Sequence, residues 1–425
     1  MKKVVAGVIC LFTVVFATEA QSIYSFEGLG SLEHQGMPNN VGSGEVGIGS
    51  PTLWHVNTQN PANLVYNNFS TFQLGLELDN RRFTGDDVSG TDINGALRFL
   101  AYAFPIMPGK WSSSFGILPY STVTYNTFSR SSVQNAAENI FEESDDRGEG
   151  GLTHLYWANG FKIANKLLVG VRANYTFGSI EKSSTKIIVE ETEVEGQTEL
   201  QRVLIGNITE FEQQESYSDL NFQFGIGYRH QFTDQTFMNF GATYSPQSDI
   251  NGTSEISLLR LLNSGTEAET IEVSTIDVNR SLPQSFGFGL SFQKLNVITV
   301  GVDYEVQQWE DVARATETFT NFSKLALGVD WIPDFDDVNS YFQRARYSLG
   351  INRTRLPYVV NNQTLTDFGI NFGASFPVSG FSSVDLALKV GQLGESGNGL
   401  IRENYFKVVI GATINDRWFI KRRYD

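Results

Sequence analysis

The feature that most constrains this chain is a period-two alternation of apolar and polar residues that starts near Thr71. In residues 220–228, Leu, Phe, Phe, Ile and Tyr alternate with Asn, Gln, Gly and Gly. The same pattern recurs at residues 72–78, 167–178, 286–292, 298–306, 325–331, 368–376 and 384–390. Successive side chains of a β-strand point to opposite faces, so the pattern predicts an all-β protein whose strands each present one apolar face.

The connections between these strands indicate where the apolar face lies. Short joints, such as residues 106–110, 164–166 and 232–235, alternate with long ones, such as residues 129–150, 183–215 and 245–281. A soluble sandwich has no reason to sort its loops in this way, whereas outer-membrane barrels have short periplasmic turns and longer extracellular loops. Residues 69–425 are therefore predicted to form a transmembrane antiparallel β-barrel of about 14 strands in the outer membrane of a Gram-negative bacterium.

Composition excludes several other functions. The chain has 47 Asp and Glu against 31 Lys and Arg, a net charge of −16, which is opposite to what a nucleic-acid partner requires. Its histidines, at positions 34, 55, 154 and 230, have no paired spacing that suits a metal site. No nucleophile motif is present, so we predict no enzyme activity, no catalytic residue, no metal and no cofactor.

Residues 1–20 read as a signal peptide. A basic start is followed by an apolar run from Val4 to Phe16, and small residues precede the expected cleavage point. The mature chain is then expected to begin at Gln21. The single cysteine of the chain, Cys10, lies within this segment, so the mature protein is predicted to have no disulfide bond.

Residues 21–68 precede the first strand and do not alternate. They are rich in glycine and end on Asn60, Pro61, Ala62 and Leu64. The lumen of a fourteen-stranded barrel is too wide for its own side chains to fill, so this segment is predicted to be a luminal hatch. Its glycines permit tight reversals, and Asn followed by Pro is a turn signal. Both ends of the mature chain are then expected on the periplasmic side.

With this order of features, the chain resembles a Bacteroidetes-type member of the FadL/OmpP1 family of outer-membrane transporters. The resemblance rests on the glycine-rich segment, on Asn60, Pro61 and Ala62 with Leu64, and on the barrel that follows. It implies passive uptake of hydrophobic small molecules, such as long-chain fatty acids or hydrocarbons, past the hatch and through a lateral opening. The implied partners are a hydrophobic ligand and outer-membrane lipid.

The third predicted strand, near residues 111–128, contains Gly116 and Pro119. Proline cannot donate a ladder hydrogen bond, so the strand is expected to bend or bulge there. In the family that the chain resembles, a kink in the third strand opens the barrel wall, which implies a lateral exit at these two residues. A bulge without any such traffic is the alternative.

One long predicted loop contains an apolar run that includes Leu258, Leu259, Leu261 and Leu262. Four bare leucines in water would be costly, so they are expected to form an apolar substrate pocket or its cap. Barrels related to this family also serve type IX secretion. The alternative function is therefore a secretion-associated carrier that binds exported proteins at the cell surface, with a secretion-system protein as its partner.

Overall fold

The computed structural model describes residues 22–85, 89–133, 137, 139–192, 201–261, 268–314, 317–378, 382–397 and 399–417. The predicted signal peptide therefore lies outside the described residues. Among the described residues, no helix is both long enough and apolar enough to cross a membrane.

The fold is a closed antiparallel β-barrel of 14 strands, as predicted. Every strand pairs with its sequence neighbours, and the last strand pairs with the first from Arg402 opposite Thr84 to Asp416 opposite Ser70. The barrel strands are β1 (Ser70–Thr84), β2 (Ser89–Met107), β3 (Trp111–Ser132), β4 (Ile140–Lys162), β5 (Leu167–Thr192), β6 (Ile208–Thr233), β7 (Thr236–Ser245), β8 (Ser285–Lys294), β9 (Ile298–Gln307), β10 (Phe322–Trp331), β11 (Arg346–Val360), β12 (Gln363–Pro377), β13 (Ser383–Leu393) and β14 (Arg402–Asp416).

The alternation places its apolar residues on the outside of the wall. Phe224, Val300 and Leu327 are 46%, 47% and 42% exposed, whereas the neighbouring Gly225 and Gly301 are buried inside. An apolar outer face and a polar interior are what lipid on one side and a filled lumen on the other require. The face prediction therefore agrees with the exposure of these residues.

Several strands are far longer than the membrane requires, which the sequence analysis did not anticipate. β5 and β6 each have 26 residues. At about 3.3 Å per residue, the length of each strand is more than twice the thickness of the hydrocarbon core, which is roughly 30 Å. Residues 129–150, 183–215 and 245–281 were predicted as loops, but they largely continue as paired strands. The prediction failed there because polar residues occupy both faces of a strand that stands in water.

These extensions form one sheet above the membrane, here called the extracellular sheet. It contains the outer parts of β3 to β6, the short strand Gln201–Leu204, and the hairpin of Ser248–Leu261 with Ala268–Leu282. Ser248–Leu261 pairs with β6 on one side and with Ala268–Leu282 on the other.

Residues 22–69, here called the N-terminal segment, contact the inner face of the wall over most of its height. The segment contains the short strand Ser31–Leu32, the helix Pro38–Gly42, and 3₁₀ turns at Ile23–Phe26 and Pro61–Tyr66. Two further 3₁₀ turns, Glu310–Val312 and Phe342–Arg344, lie in connections between barrel strands.

The start of the N-terminal segment lies at the extracellular end of the lumen. The Ser22 hydroxyl donates to Oε1 of Glu403, the second residue of β14, at 2.9 Å. Farther along, Trp54 reaches the periplasmic end, where its ring stacks on Phe69 and on Phe335. The expectation that both mature ends are periplasmic is therefore wrong for the N-terminal end. The segment runs along the lumen from the extracellular end to the periplasmic end before it enters β1.

Candidate functional site

Glycines on the inner wall let the N-terminal segment lie directly against the strands. A Cβ added at Gly373 of β12 would lie 2.8 Å from the Cα of Gly42, and one at Gly289 of β8 would collide with the backbone nitrogen of Gly49. Gly44 has a φ of 73°, as a reversal requires. The sequence analysis read the segment's glycines as turn formers and missed that many of them face wall glycines.

Asp303 of β9 anchors the middle of this segment. The backbone N–H groups of Gly47 and Ile48 both donate to its Oδ2 at 2.6 Å, and that of Gly49 donates to its Oδ1 at 3.2 Å. Three consecutive N–H groups that converge on one buried carboxylate form an anion-binding nest. The glycine-rich loop is therefore held by one acidic side chain of the wall.

The predicted Asn60-Pro61-Ala62 motif forms a buried turn against the inner face of β6. The Asn60 side chain accepts from the N–H of Ala62 at 3.0 Å and donates to the carbonyl oxygens of Ile48 and Ile226 at 3.0 Å. Asn60 and Ala62 are fully buried, and Leu64 lies in the same turn with 1% exposure. The asparagine thus caps the 3₁₀ turn and fixes it to β6.

Buried charges form a network between the segment and the wall. Glu45 is 3.0 Å from Nζ of Lys324 on β10 and 3.0 Å from Nζ of Lys389 on β13. Burial alone would raise the pKa of the Glu45 carboxyl, but these two ammonium groups hold it well below its usual value. Lys324 also donates to Nδ1 of His34 at 2.8 Å. Burial and the nearby cations, Lys324 first, lower the pKa of His34 well below its usual value.

The wall between β2 and β3 is only partly paired. Their ladder runs from Met107 opposite Trp111 to Leu100 opposite Ile117 and ends there. Beyond that point, among the described residues, residues 89–99 pair only with β1, while residues 118–132 pair with β4 and, at two positions, with the N-terminal segment. A gap between the two strands therefore opens toward the extracellular side.

The two residues that the sequence analysis singled out lie at the lower end of this gap. A Cβ added at Gly116 would collide with the carbonyl oxygen of Leu100, so glycine is needed where β2 and β3 make their last close contact. At Pro119 the pairing of β3 with β4 shifts register by a bulge. Because proline has no N–H to donate to a ladder, it accounts for the bulge at this point.

Residues 31–35 of the segment close the gap from inside. Ser31 and Leu32 pair with Thr122 and Ser121 of β3. The N–H of Glu33 donates to the carbonyl oxygen of Tyr120 at 2.9 Å.

Glu33 also connects the two strands that fail to pair. Its Oε2 is 2.5 Å from Nη1 of Arg98 on β2, and its Oε1 accepts from the hydroxyl of Thr122 on β3 at 3.3 Å. The side chain of Gln35 donates to the carbonyl oxygen of Pro119 at 2.7 Å. Sequence reasoning did not single out Glu33 or Arg98. The available signal was a carboxylate within a glycine-rich stretch that carries few charges.

A cavity of about 240 Å³ lies between the N-terminal segment and the outer ends of the strands. Its lining mixes charged groups, among them Arg172, Lys324 and Glu77, with apolar groups such as Leu32 and Leu356. The sequence predicted an apolar substrate pocket or its cap, at the leucines discussed below. Such a mixed lining suits an amphipathic molecule better than a purely apolar one.

The leucines of the predicted pocket or cap lie away from this cavity. Leu258 and Leu259 are half-buried in the extracellular sheet and do not border the cavity. Leu261 ends the strand Ser248–Leu261, and Leu262 lies outside the described residues. Their role as a pocket or cap stays a prediction.

Apolar groups cluster at the two ends of the lumen. At the extracellular end, Tyr24 and Leu29 of the segment join a cluster with the buried side chains of Trp309, Tyr358 and Leu400. At the periplasmic end, the ring of Trp54 lies between those of Phe69 and Phe335, as described above. Among the described residues, apolar groups thus lie at both ends of the lumen, and residues 31–35 place the β2–β3 gap beside the cavity.

Several known structures share this architecture. A FadL homologue of Pseudomonas aeruginosa is 12% identical, with a TM-score of 0.56 over 92% of this chain and 100% of the other. The toluene transporter TodX of P. putida is 13% identical, with a TM-score of 0.54 over 91% and 100%. The toluene transporter TbuX of Ralstonia pickettii is 14% identical, with a TM-score of 0.53 over 90% and 99%. At these identities the likeness shows a shared fold.

The closed barrel and these neighbours define the protein as a FadL-like outer-membrane β-barrel of a Gram-negative bacterium. The chain belongs to the BamG family, whose sequence model matches residues 1–425. No curated protein sequence matches it. Two of the similar structures cited above are toluene transporters and the third is a FadL homologue, and none of the three is described as an enzyme.

Proposed function

We propose that this protein is a passive channel for hydrophobic or amphipathic small molecules, in which the N-terminal segment is the hatch and the exit is lateral. The observation that carries the proposal is the end of β2–β3 pairing at Leu100 opposite Ile117. Unpaired backbone N–H and C=O groups are costly in a membrane, so the strands of a closed barrel stay paired except where the wall is interrupted. The similar structures include transporters of toluene, an apolar solute.

The surroundings of the gap support lateral exit. The cavity adjoins the inner side of the gap through Leu32, Glu33 and Gln35. On the outer side, Leu97 and Ile117 are exposed apolar groups that face lipid. Each Å² of apolar surface that a solute removes from water gains about 25 cal/mol, so a solute in the cavity is drawn toward the bilayer rather than the aqueous periplasm.

Residues 31–35 control this route in the proposed mechanism. In the closed state they supply partners to β3 groups that β2 leaves unpaired, as the bond from Glu33 to Tyr120 shows. Movement of the strand Ser31–Leu32 inward breaks these bonds together with the ion pair between Glu33 and Arg98. Opening is then a local rearrangement of the hatch, and the rest of the barrel wall stays intact.

A reversible cross-link tests the mechanism directly. Leu32 and Ser121 are opposite partners, and such residues lie about 4.5–5.5 Å apart at Cα, within the range that a disulfide spans. We expect oxidised Leu32→Cys/Ser121→Cys protein in liposomes to release a fluorescent fatty acid or an aromatic hydrocarbon several-fold more slowly than the reduced form. The sole natural cysteine, Cys10, lies in the predicted signal peptide.

The matched control is Val302→Cys/Leu327→Cys, which joins opposite residues of β9 and β10 that are already paired. Oxidation of this control should leave the rate of release unchanged. Equal rates for oxidised and reduced Leu32→Cys/Ser121→Cys protein would rule out exit past residues 31–35. The comparisons give no support to the alternative of a type IX secretion carrier, which stays a hypothesis.

A further inference from the structure

The outermost strand of the extracellular sheet, Ala268–Leu282, has one free edge. On one side it pairs with Ser248–Leu261 along its whole length. On the other side, among the described residues, no strand forms a ladder or an extended contact with it. Among the described residues, contacts to this edge are found at its lower end, where Arg314 donates to the carbonyl oxygen of Asn279 and Arg280 pairs with Glu317.

The upper part of this strand is exposed on both faces as well as at its edge. Every residue from Glu269 to Asp277 is exposed. Ile271, Val273 and Ile276 are 47%, 53% and 48% exposed, although they stand above the membrane rather than against lipid. A long free edge with bare β-branched residues is the surface to which another strand adds, because the partner completes the ladder and covers the apolar groups.

The charges on the strand select among partners. Glu269 already faces Arg260 across the hairpin, at 3.6 Å. Glu272 and Asp277 remain, and the stretch 268–279 contains no lysine or arginine. A second copy of the chain would bring acidic residues opposite acidic residues, which disfavours self-pairing, whereas a basic strand meets complementary charge.

We propose that the free edge of Ala268–Leu282 binds an extended, basic segment of another protein, which adds as a further strand to the extracellular sheet. Main-chain hydrogen bonds supply the binding, and Glu272 and Asp277 select for positive side chains. This surface is remote from the β2–β3 gap, so the inference does not depend on the proposed transport function.

A lysine-rich β-forming peptide is the probe. A fluorescent twelve-residue peptide, in which lysine alternates with valine or threonine, is titrated into the full-length protein in nanodiscs at low salt. We expect saturable binding that is about tenfold weaker for Glu272→Lys/Asp277→Lys. The control Glu149→Lys/Glu395→Lys reverses two exposed charges away from the edge and should bind the peptide as the parent does.

Backbone methylation separates strand addition from simple charge attraction. Two further peptides carry N-methyl groups on alternate residues, so that each blocks hydrogen bonding along one edge only. Strand addition predicts that one of them fails to bind and the other binds like the parent. Equal binding of both, or equal binding by the two double variants, would overturn the proposal. So would absence of peptide binding in a protein that is dimeric in nanodiscs, since a second copy would then occupy the edge.

Discussion

Removing the carboxylate of Asp303 should release the N-terminal segment from the wall without unfolding the barrel. The substitution Asp303→Ala leaves the N–H groups of Gly47, Ile48 and Gly49 without their acceptor. Each buried group left unsatisfied costs about 1–3 kcal/mol. Because water can enter the vacated space and the three losses are not additive, we expect a total of about 3–6 kcal/mol. Asp303→Asn retains one acceptor oxygen and should cost about half as much.

The wall itself should be insensitive to this change, because the pairing of β9 with β8 and β10 uses only backbone groups. A shift of about 3–6 kcal/mol raises the population of molecules with a displaced N-terminal segment about 10²–10⁴-fold. We therefore expect Asp303→Ala to keep the heat-modifiable gel migration of a folded barrel. It should also show new ion conductance in planar bilayers and faster proteolysis of residues 22–69.

Glu305→Ala is the matched control for this prediction. Glu305 lies two residues along the same strand, on the same inner face, and hydrogen-bonds to Gln307 of its own strand. It should show neither conductance nor faster proteolysis. If Asp303→Ala and Glu305→Ala behave alike, the nest does not hold the segment and the reasoning fails.

Three further changes test other parts of the structure. Burial lowers the pKa of His34, so its contribution to the stability of the docked N-terminal segment is complete above about pH 6.5. Below that pH the contribution should fall by up to about 1.4 kcal/mol per pH unit. Proteolysis of wild type and His34→Gln between pH 7 and 5 would measure this loss. Val300→Arg places a charge in lipid and should lower the free energy of unfolding by about 2–4 kcal/mol in urea titrations. Gln223→Arg, at the cavity, should lower it clearly less. Equal losses for the two variants would contradict the assignment of the outer and inner faces. Gly373→Ala should displace the segment and raise conductance, whereas Gly90→Ala, whose added Cβ meets only a ring carbon at 3.8 Å, should not; identical conductance would show that the wall glycines are dispensable.

The wall of this barrel could be predicted because one rule governs it. Lipid requires apolar residues on the outer face and the lumen does not, so residue type alone predicts that Phe224 faces outward and Gly225 inward. The proline at position 119 could likewise be placed at an interruption of pairing, since its missing donor is a local property.

The contents of the lumen could not be predicted in the same way. The contacts of Glu45 with Lys324 and Lys389 join positions 279 and 344 residues apart in sequence, and nothing local marks them as partners. Nor does the local sequence show what lies against Gly301, where the structure places a side-chain carbon of Val46 2.8 Å from an added Cβ. Arginine at Gly301 should therefore be poorly tolerated.

The path of the N-terminal segment has a consequence for how the molecule assembles. Ser22 bonds to Glu403, 381 residues later in the chain, and Asp303 is reached 256 residues after Gly47. Contacts of such sequence separation form late, because the intervening chain must first be ordered. The first residues of the segment must therefore wait, unfolded and soluble, until the last strand has closed the ring around them. A glycine-rich, polar stretch is suited to that delay, since it has little tendency to form strands or to aggregate before its partners exist.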